Sequence, residues 1–308
     1  MKKIWSTLIL AALCQCATAQ EHALATEAAT LCQQGQLEQA KAKVAEALQS
    51  ADENVQAYTW FVAGFVYKEC YKTYESKMRE SQYREQSVEY LLKAFEMDKM
   101  REHGTNIKSS IKFLASTYFN DALMRTREFD ESTESEPEKY FHQYRKLMRT
   151  IEPGCNLNAQ DKDYHQQMGQ RYFDLWLLNY DKDELADKAL REFGQALRAD
   201  SSDCMLQFNV GVLQYNRAVF LYRSIGPDTD MMDMMDLQIR ASDLIKQKAM
   251  PAMRTADAIC PNHAEILNAL LQMNKALERE NDIEYFKEEI QRLIEEGKMR
   301  SLIKKGQP

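Results

Sequence analysis

The densest run of ligand-type side chains is Asp228-Thr229-Asp230-Met231-Met232-Asp233-Met234-Met235-Asp236. Aspartates at alternate early positions suit calcium, but neither the glycine nor the distal glutamate of an EF-hand loop follows. The four methionines are soft donors of the kind that take Cu(I). The simplest reading is a helix start: Asp228 or Asp230 caps it, and Met231, Met234 and Met235 form a buried stripe at i, i+3 and i+4. On that reading the run holds no metal. Cys260-Pro261-Asn262-His263 sets a thiol near an imidazole, but in a loop with no third group to orient them. A free or bridged loop cysteine is expected there rather than a nucleophile. His165 is expected at the edge of a core. The five histidines have no ligand spacing, and GxSxG, HExxH, P-loop and GxGxxG motifs do not occur. Neither catalytic residues nor a cofactor are expected.

The elements that must position any site are helices. Ten Gly and six Pro in 308 residues are too few for a turn-rich β sandwich or barrel, while 44% apolar and 28% charged residues suit a folded chain. Met1-Lys2-Lys3, the apolar stretch Ile4 to Leu13 and Ala17-Thr18-Ala19 before Gln20 form the pattern of a cleaved secretory signal, residues 1–19. Residues 20–308 are then a periplasmic or secreted protein. Leu13 before Cys14 and Gln15 before Cys16 are a poor context for lipidation, and no later segment is apolar enough to expect a transmembrane span. Cleavage leaves 38 Lys and Arg against 47 Asp and Glu, a net charge of −9. That balance disfavours nucleic acid and anionic membrane surfaces as partners.

A helical pattern recurs four times: a large residue, then an apolar residue followed directly by Gly or Ala, then an aromatic. It reads Trp60, Ala63, Gly64, Tyr67; then Ile111, Leu114, Ala115, Tyr118; then His165, Met168, Gly169, Tyr172; and last Gln207, Val210, Gly211 with Tyr215 one place late. Second amphipathic segments follow. Ala189, Phe193, Ala196 and Leu197 share one helical face, as do Ala249, Met253 and Ala256 with Pro261 beyond them. Ala40, Val44, Ala47 and Leu48 after Gln34-Gly35-Gln36-Leu37, and Ser87, Leu91 and Ala94, repeat the spacing. Six helix pairs result, near 23–50, 55–100, 106–153, 160–200, 203–261 and 263–297.

These motifs resemble the tetratricopeptide repeat (TPR), with W-x2-L-G-x2-Y in one helix and A-x3-F in the next. The resemblance implies an all-α array of about six antiparallel helical hairpins, an α-solenoid or a compact version of one, forming a single domain over 20–308. The spacing departs from the family. About 12 residues separate its Gly or Ala from the first Ala of the second helix, against 20 from Gly169 to Ala189, 23 from Gly64 to Ser87 and 38 from Gly211 to Ala249. The first helices therefore run long, or the turns carry insertions. Glu128 to Glu138 reads as a mobile acidic loop, Ser224 to Asp228 as a helix stop and turn, and Pro251 as a kink or restart.

Five cysteines survive signal cleavage, an odd number, so at most two bridges form. Cys155 and Cys204 fall in corresponding loops of successive pairs and are expected to bridge. Cys32 and Cys70, on adjacent first helices, are the second candidate pair.

The family's ligands lie along the concave face of the first helices, just after the motif positions. Carried over, that face is Phe61, Phe65 and Lys68; Lys112, Ser116 and Phe119; Gln166, Gln170 and Phe173; and Phe208, Val212 and Tyr215. Aromatic anchors among amides and lysines suit an extended peptide; equally, these aromatics could serve as extra core. The resemblance implies an exported, non-enzymatic interaction module or scaffold of the cell envelope, peripherally associated with a protein or peptide partner. The alternative is a glycan- or solute-binding accessory for nutrient uptake.

Overall fold

A computed structural model of the chain describes residues 22–78, 80–130 and 132–301; the signal segment 1–19 lies outside them. The fold is all-α, built from packed adjacent helix pairs. The pairs are α1 (Ala23–Gln33) with α2 (Leu37–Gln49), α3 (Ala57–Cys70) with α4 (Gln82–Met97), and α5 (Gly104–Thr126) with α6 (Glu136–Ile151). They continue with α7 (Asn158–Leu178) and α8 (Asp183–Ala199), α9 (Cys204–Arg223) with α10 (Met231–Leu244) and α11 (Met250–Ile259), and α12 (Ala264–Ala276) with α13 (Glu280–Glu295). All six pairs fall where the periodicity puts them. The chain divides into two compact units. Unit 1 runs to Ala122 and resumes over Ser135–Cys155; unit 2 takes Leu123–Glu134 and everything from Asn156 on.

The repeat glycines sit where two helices cross. A Cβ on Gly64 would lie 2.5 Å from Leu91 Cγ, one on Gly169 2.7 Å from the Phe193 ring, and one on Gly211 2.9 Å from Met253 Cε. The backbones can approach only because no side chain stands there, and the facing Leu, Phe or Met fills the space. Ala189, Ala196, Ala249 and Ala256 are fully buried around these crossings. Ser87 adds a hydrogen bond from Oγ to the Gly64 carbonyl, 2.7 Å.

Asp203 caps α9, its carboxylate accepting from the backbone N–H of Met205 and Leu206. Asp230, not Asp228, caps α10 and accepts from Met232 and Asp233. The methionine stripe, however, is not buried. Met231, Met232 and Met235 are exposed (71%, 75% and 49%), and the face of α10 that does pack starts later, at Ala241. Just before Pro251 the helix restarts, as the sequence leads one to expect. A π-helical turn, Ile245–Ala249, joins α10 to α11 immediately before the proline. That wider turn accommodates a residue with no N–H to give the preceding turn. A second π turn, Tyr71–Glu75, lengthens α3, and Glu75 then accepts from Ser81 Oγ and the Tyr83 N–H. The extra spacing of both pairs is therefore helix rather than loop.

The cysteine expectation is overturned. Cys204 bridges Cys260, with Cα atoms 6.0 Å apart, while Cys32, Cys70 and Cys155 are free thiols. Cys204 opens α9 and Cys260 follows α11, and antiparallel packing brings the start of one helix to the end of its partner. The bridge closes a hairpin instead of joining successive ones. Cys32 and Cys70 stay reduced in the core of unit 1, where burial pushes both thiols up, Cys70 to about 11.

The acidic connector after α5 is pinned within unit 2. Arg171 donates through Nε and Nη2 to the Phe129 carbonyl, and Phe129 is buried against Tyr172. Glu134 accepts from Lys188 Nζ (2.6 Å) and the Tyr172 hydroxyl (2.8 Å). Burial would push the Glu134 carboxyl up, but these two donors outweigh it and hold it below the usual glutamate range.

Candidate binding surfaces

In unit 1 the first-helix face is half-buried and aromatic. Phe61 stacks on His103 at 6.1 Å and lies 6.3 Å from Phe65, and Tyr58 is 5.2 Å from His103. Lys68 Nζ sits over the Phe65 ring at 4.2 Å and 6.0 Å from Phe113, which Lys72 also approaches. Burial pulls the Lys68 ammonium below the ordinary lysine value, with Glu69 at 3.3 Å opposing that shift. Lys112 and Ser116 are exposed, and Lys112 pairs with Glu152 at 2.6 Å. Phe119 turns into the α5–α6 pair, against Tyr144 and Phe141. Phe113 is 39% exposed and lies outside the positions carried over from the repeat, although it is one residue from Lys112.

Behind this face Arg84 is 2% exposed, boxed by Tyr71, Tyr118 and Tyr140 and paired with Asp121 at 2.6 Å. The pair ties α4 to α5. Burial also raises the Tyr118 hydroxyl, to about 12.

The corresponding positions of unit 2 are divided. Phe173 is buried and Gln166 half-buried, whereas Gln170 is exposed and donates to Asp174 at 2.8 Å. Phe208, Val212 and Tyr215 pack on the core of the α9–α12 cluster, and burial raises the Tyr215 hydroxyl. Met168 and Tyr172 are buried as packing residues. His165 is half-buried with Nδ1 2.6 Å from Glu192 Oε2.

Unit 2 instead has a cleft of about 420 Å³ that the repeat pattern does not mark. One wall comes from the end of α7, the turn after it, the start of α8 and α9: Trp176, Tyr180, Asp181, Asp183, Arg217, Phe220 and Leu221. The other comes from α10 and its π turn, with Arg240, Asp243, Leu244, Gln247 and Lys248 at i, i+3, i+4, i+7 and i+8. Tyr180 stacks on Phe220 at 5.3 Å and meets Trp176 edge-on at 4.9 Å. Arg217 is held between Asp183 and Asp187. The 38-residue interval from Gly211 to Ala249, which departs most from the repeat, is what supplies this second wall.

Among the described residues no group of three His, Cys, Asp or Glu side chains is placed to hold a metal ion, and no helix is long and apolar enough to cross a membrane. No protein-family model matches the chain, and no curated protein matches it.

Proposed function

We propose that the chain is an exported, non-enzymatic binding module of the cell envelope that holds a peptide or protein segment on the first-helix face of unit 1. The observation that supports this reading is Lys68, a half-buried ammonium beside Phe65 and the exposed Phe113. A carboxylate on a partner would relieve its desolvation, and the rings on either side offer aromatic or apolar anchoring. Helix pairs that stack on their neighbours offer extended surface, which suits such a segment. The motif resemblance to TPRs points the same way.

The test is affinity capture from a cell-envelope extract with residues 20–308 as bait, beside a Phe65→Ala/Phe113→Ala bait of unchanged helical circular dichroism. A protein retained by the native bait and lost with the variant supports the reading. Identical capture by both baits overturns it.

A further inference from the structure

The cleft of unit 2 carries charge that its own residues leave unmatched. Asp181, in the α7–α8 turn, has no hydrogen-bond or ion-pair partner among the described residues, and neither has Lys248, on the π turn across the cleft. Arg240 reaches only Asp236, at 3.5 Å. All three side chains are exposed, so water solvates them in the free protein and they are open to a ligand of matching charge. Between them lies an apolar middle of Tyr180, Phe220 and Leu244. Trp176 lines the cleft while being fully buried, and its indole Nε1–H has no acceptor. That donor is enclosed by protein, so Trp176 contributes to the cleft as apolar lining rather than as a polar contact.

We infer that this cleft binds a small zwitterion with an apolar body, an α-amino acid or dipeptide bearing an aromatic or large aliphatic side chain. Its ammonium faces Asp181, its carboxylate faces Lys248 and Arg240, and its side chain lies against Tyr180 and Phe220. The volume is in the range of ordinary small-molecule pockets, about 300–1,000 Å³. A simple anion would meet Asp181 and Asp243, and a simple cation would meet Lys248 and Arg240. Only a ligand carrying both charges matches both walls. The ligand is bound and released without any covalent step, and the site does not depend on the unit 1 face.

Calorimetric titration of the full chain tests this with four probes: L-phenylalanine, phenethylamine, 3-phenylpropionate and N-acetylglucosamine. L-Phenylalanine is expected to bind saturably and to perturb Trp176 emission. Removing either ligand charge should weaken binding about two- to fivefold. Asp181→Asn should abolish the difference between phenylalanine and phenylpropionate, and Lys248→Gln should narrow that between phenylalanine and phenethylamine, with Arg240 still facing the carboxylate. Both residues are exposed, so folding is not at stake, and capture through the unit 1 face should be unchanged in both variants. Absence of phenylalanine binding at millimolar concentration, equal binding of all three phenyl probes to the native chain, or ligand-charge preferences that persist undiminished in both variants would overturn the assignment. So would tighter binding of the sugar than of phenylalanine.

Discussion

Units 1 and 2 are built from the same hairpin and secured in opposite ways. Unit 1 keeps two reduced, buried cysteines and ties neighbouring pairs with the buried Arg84–Asp121 ion pair inside a box of tyrosines. Unit 2 closes one hairpin with a disulfide and carries the less buried ion pairs Lys188–Glu134 and Arg217–Asp183. The difference shows that a helical repeat constrains the crossing points of its helices and leaves the clasp between elements free to vary. Chemistry follows the clasp. The charged, aromatic interior of unit 1 leaves cations such as Lys68 at its edge, while the tied hairpin of unit 2 supports a long inserted arm that walls a cleft.

Reduction offers the largest break in this comparison. The bridge spans 56 residues of sequence, and loop-closure entropy for that length is worth about 4 kcal/mol. Dithiothreitol or Cys204→Ser/Cys260→Ser should lower the melting temperature of the unit 2 transition in calorimetry and leave that of unit 1 in place. The converse substitution is Asp121→Asn, which strands the Arg84 guanidinium and should cost unit 1 roughly 3 kcal/mol in urea unfolding. A loss below about 1 kcal/mol would mean that the tyrosines alone accommodate the charge.

Gly169→Ala should destabilise unit 2 by about 1–3 kcal/mol, because the new methyl meets an aromatic ring held by its own packing. Gly194→Ala, mid-helix where an added Cβ meets nothing within 4 Å, is the control and should instead stabilise by about 0.5–1 kcal/mol. Below the Gly169→Ala loss comes that of Glu134→Gln, at about 1 kcal/mol for a half-exposed pair. Because the native Glu134 carboxyl is held below its unfolded value of 4.5, its contribution is present above that pH and is lost as pH falls through the depressed native value. The stability gap between the native protein and the Glu134→Gln variant should close on acidification. Thiol labelling sharpens the contrast without touching stability: iodoacetamide on native protein should modify half-buried Cys155 first, and Cys32 and Cys70 only on unfolding.

The helix pairs were legible because small residues at crossings leave a periodic trace. Gly64, Gly169 and Gly211 each mark a place where the partner helix bears Leu91, Phe193 or Met253. Spacing alone could not say whether extra residues form loop or helix, so the two π turns and the pinned acidic connector were not readable. Met231 and Met235 misled for a related reason: methionine at helical spacing fits a buried face and an exposed one equally, and only the position of Ala241 in the fold decides. The Cys204–Cys260 bridge had a signal, since one residue opens a helix and the other ends its antiparallel partner. Within the carried-over positions, Phe119 of unit 1 and Phe173 of unit 2 proved to be packing residues, and Phe113, one residue from Lys112, is the exposed aromatic of unit 1. The cleft left no motif because its walls meet only in three dimensions; the overlong interval before Ala249 was its one trace in the chain.

The Cys204–Cys260 bridge also makes the α9–α11 hairpin a covalent ring whose exposed point is the turn from Ser224 to Asp228. A protease that cuts there opens the ring without releasing either half, so the nicked protein should migrate as one species until reductant is added. The same turn is therefore a tolerant site for grafting a tag or a second domain, since both ends of the graft would remain anchored through the bridge at the hairpin's far end.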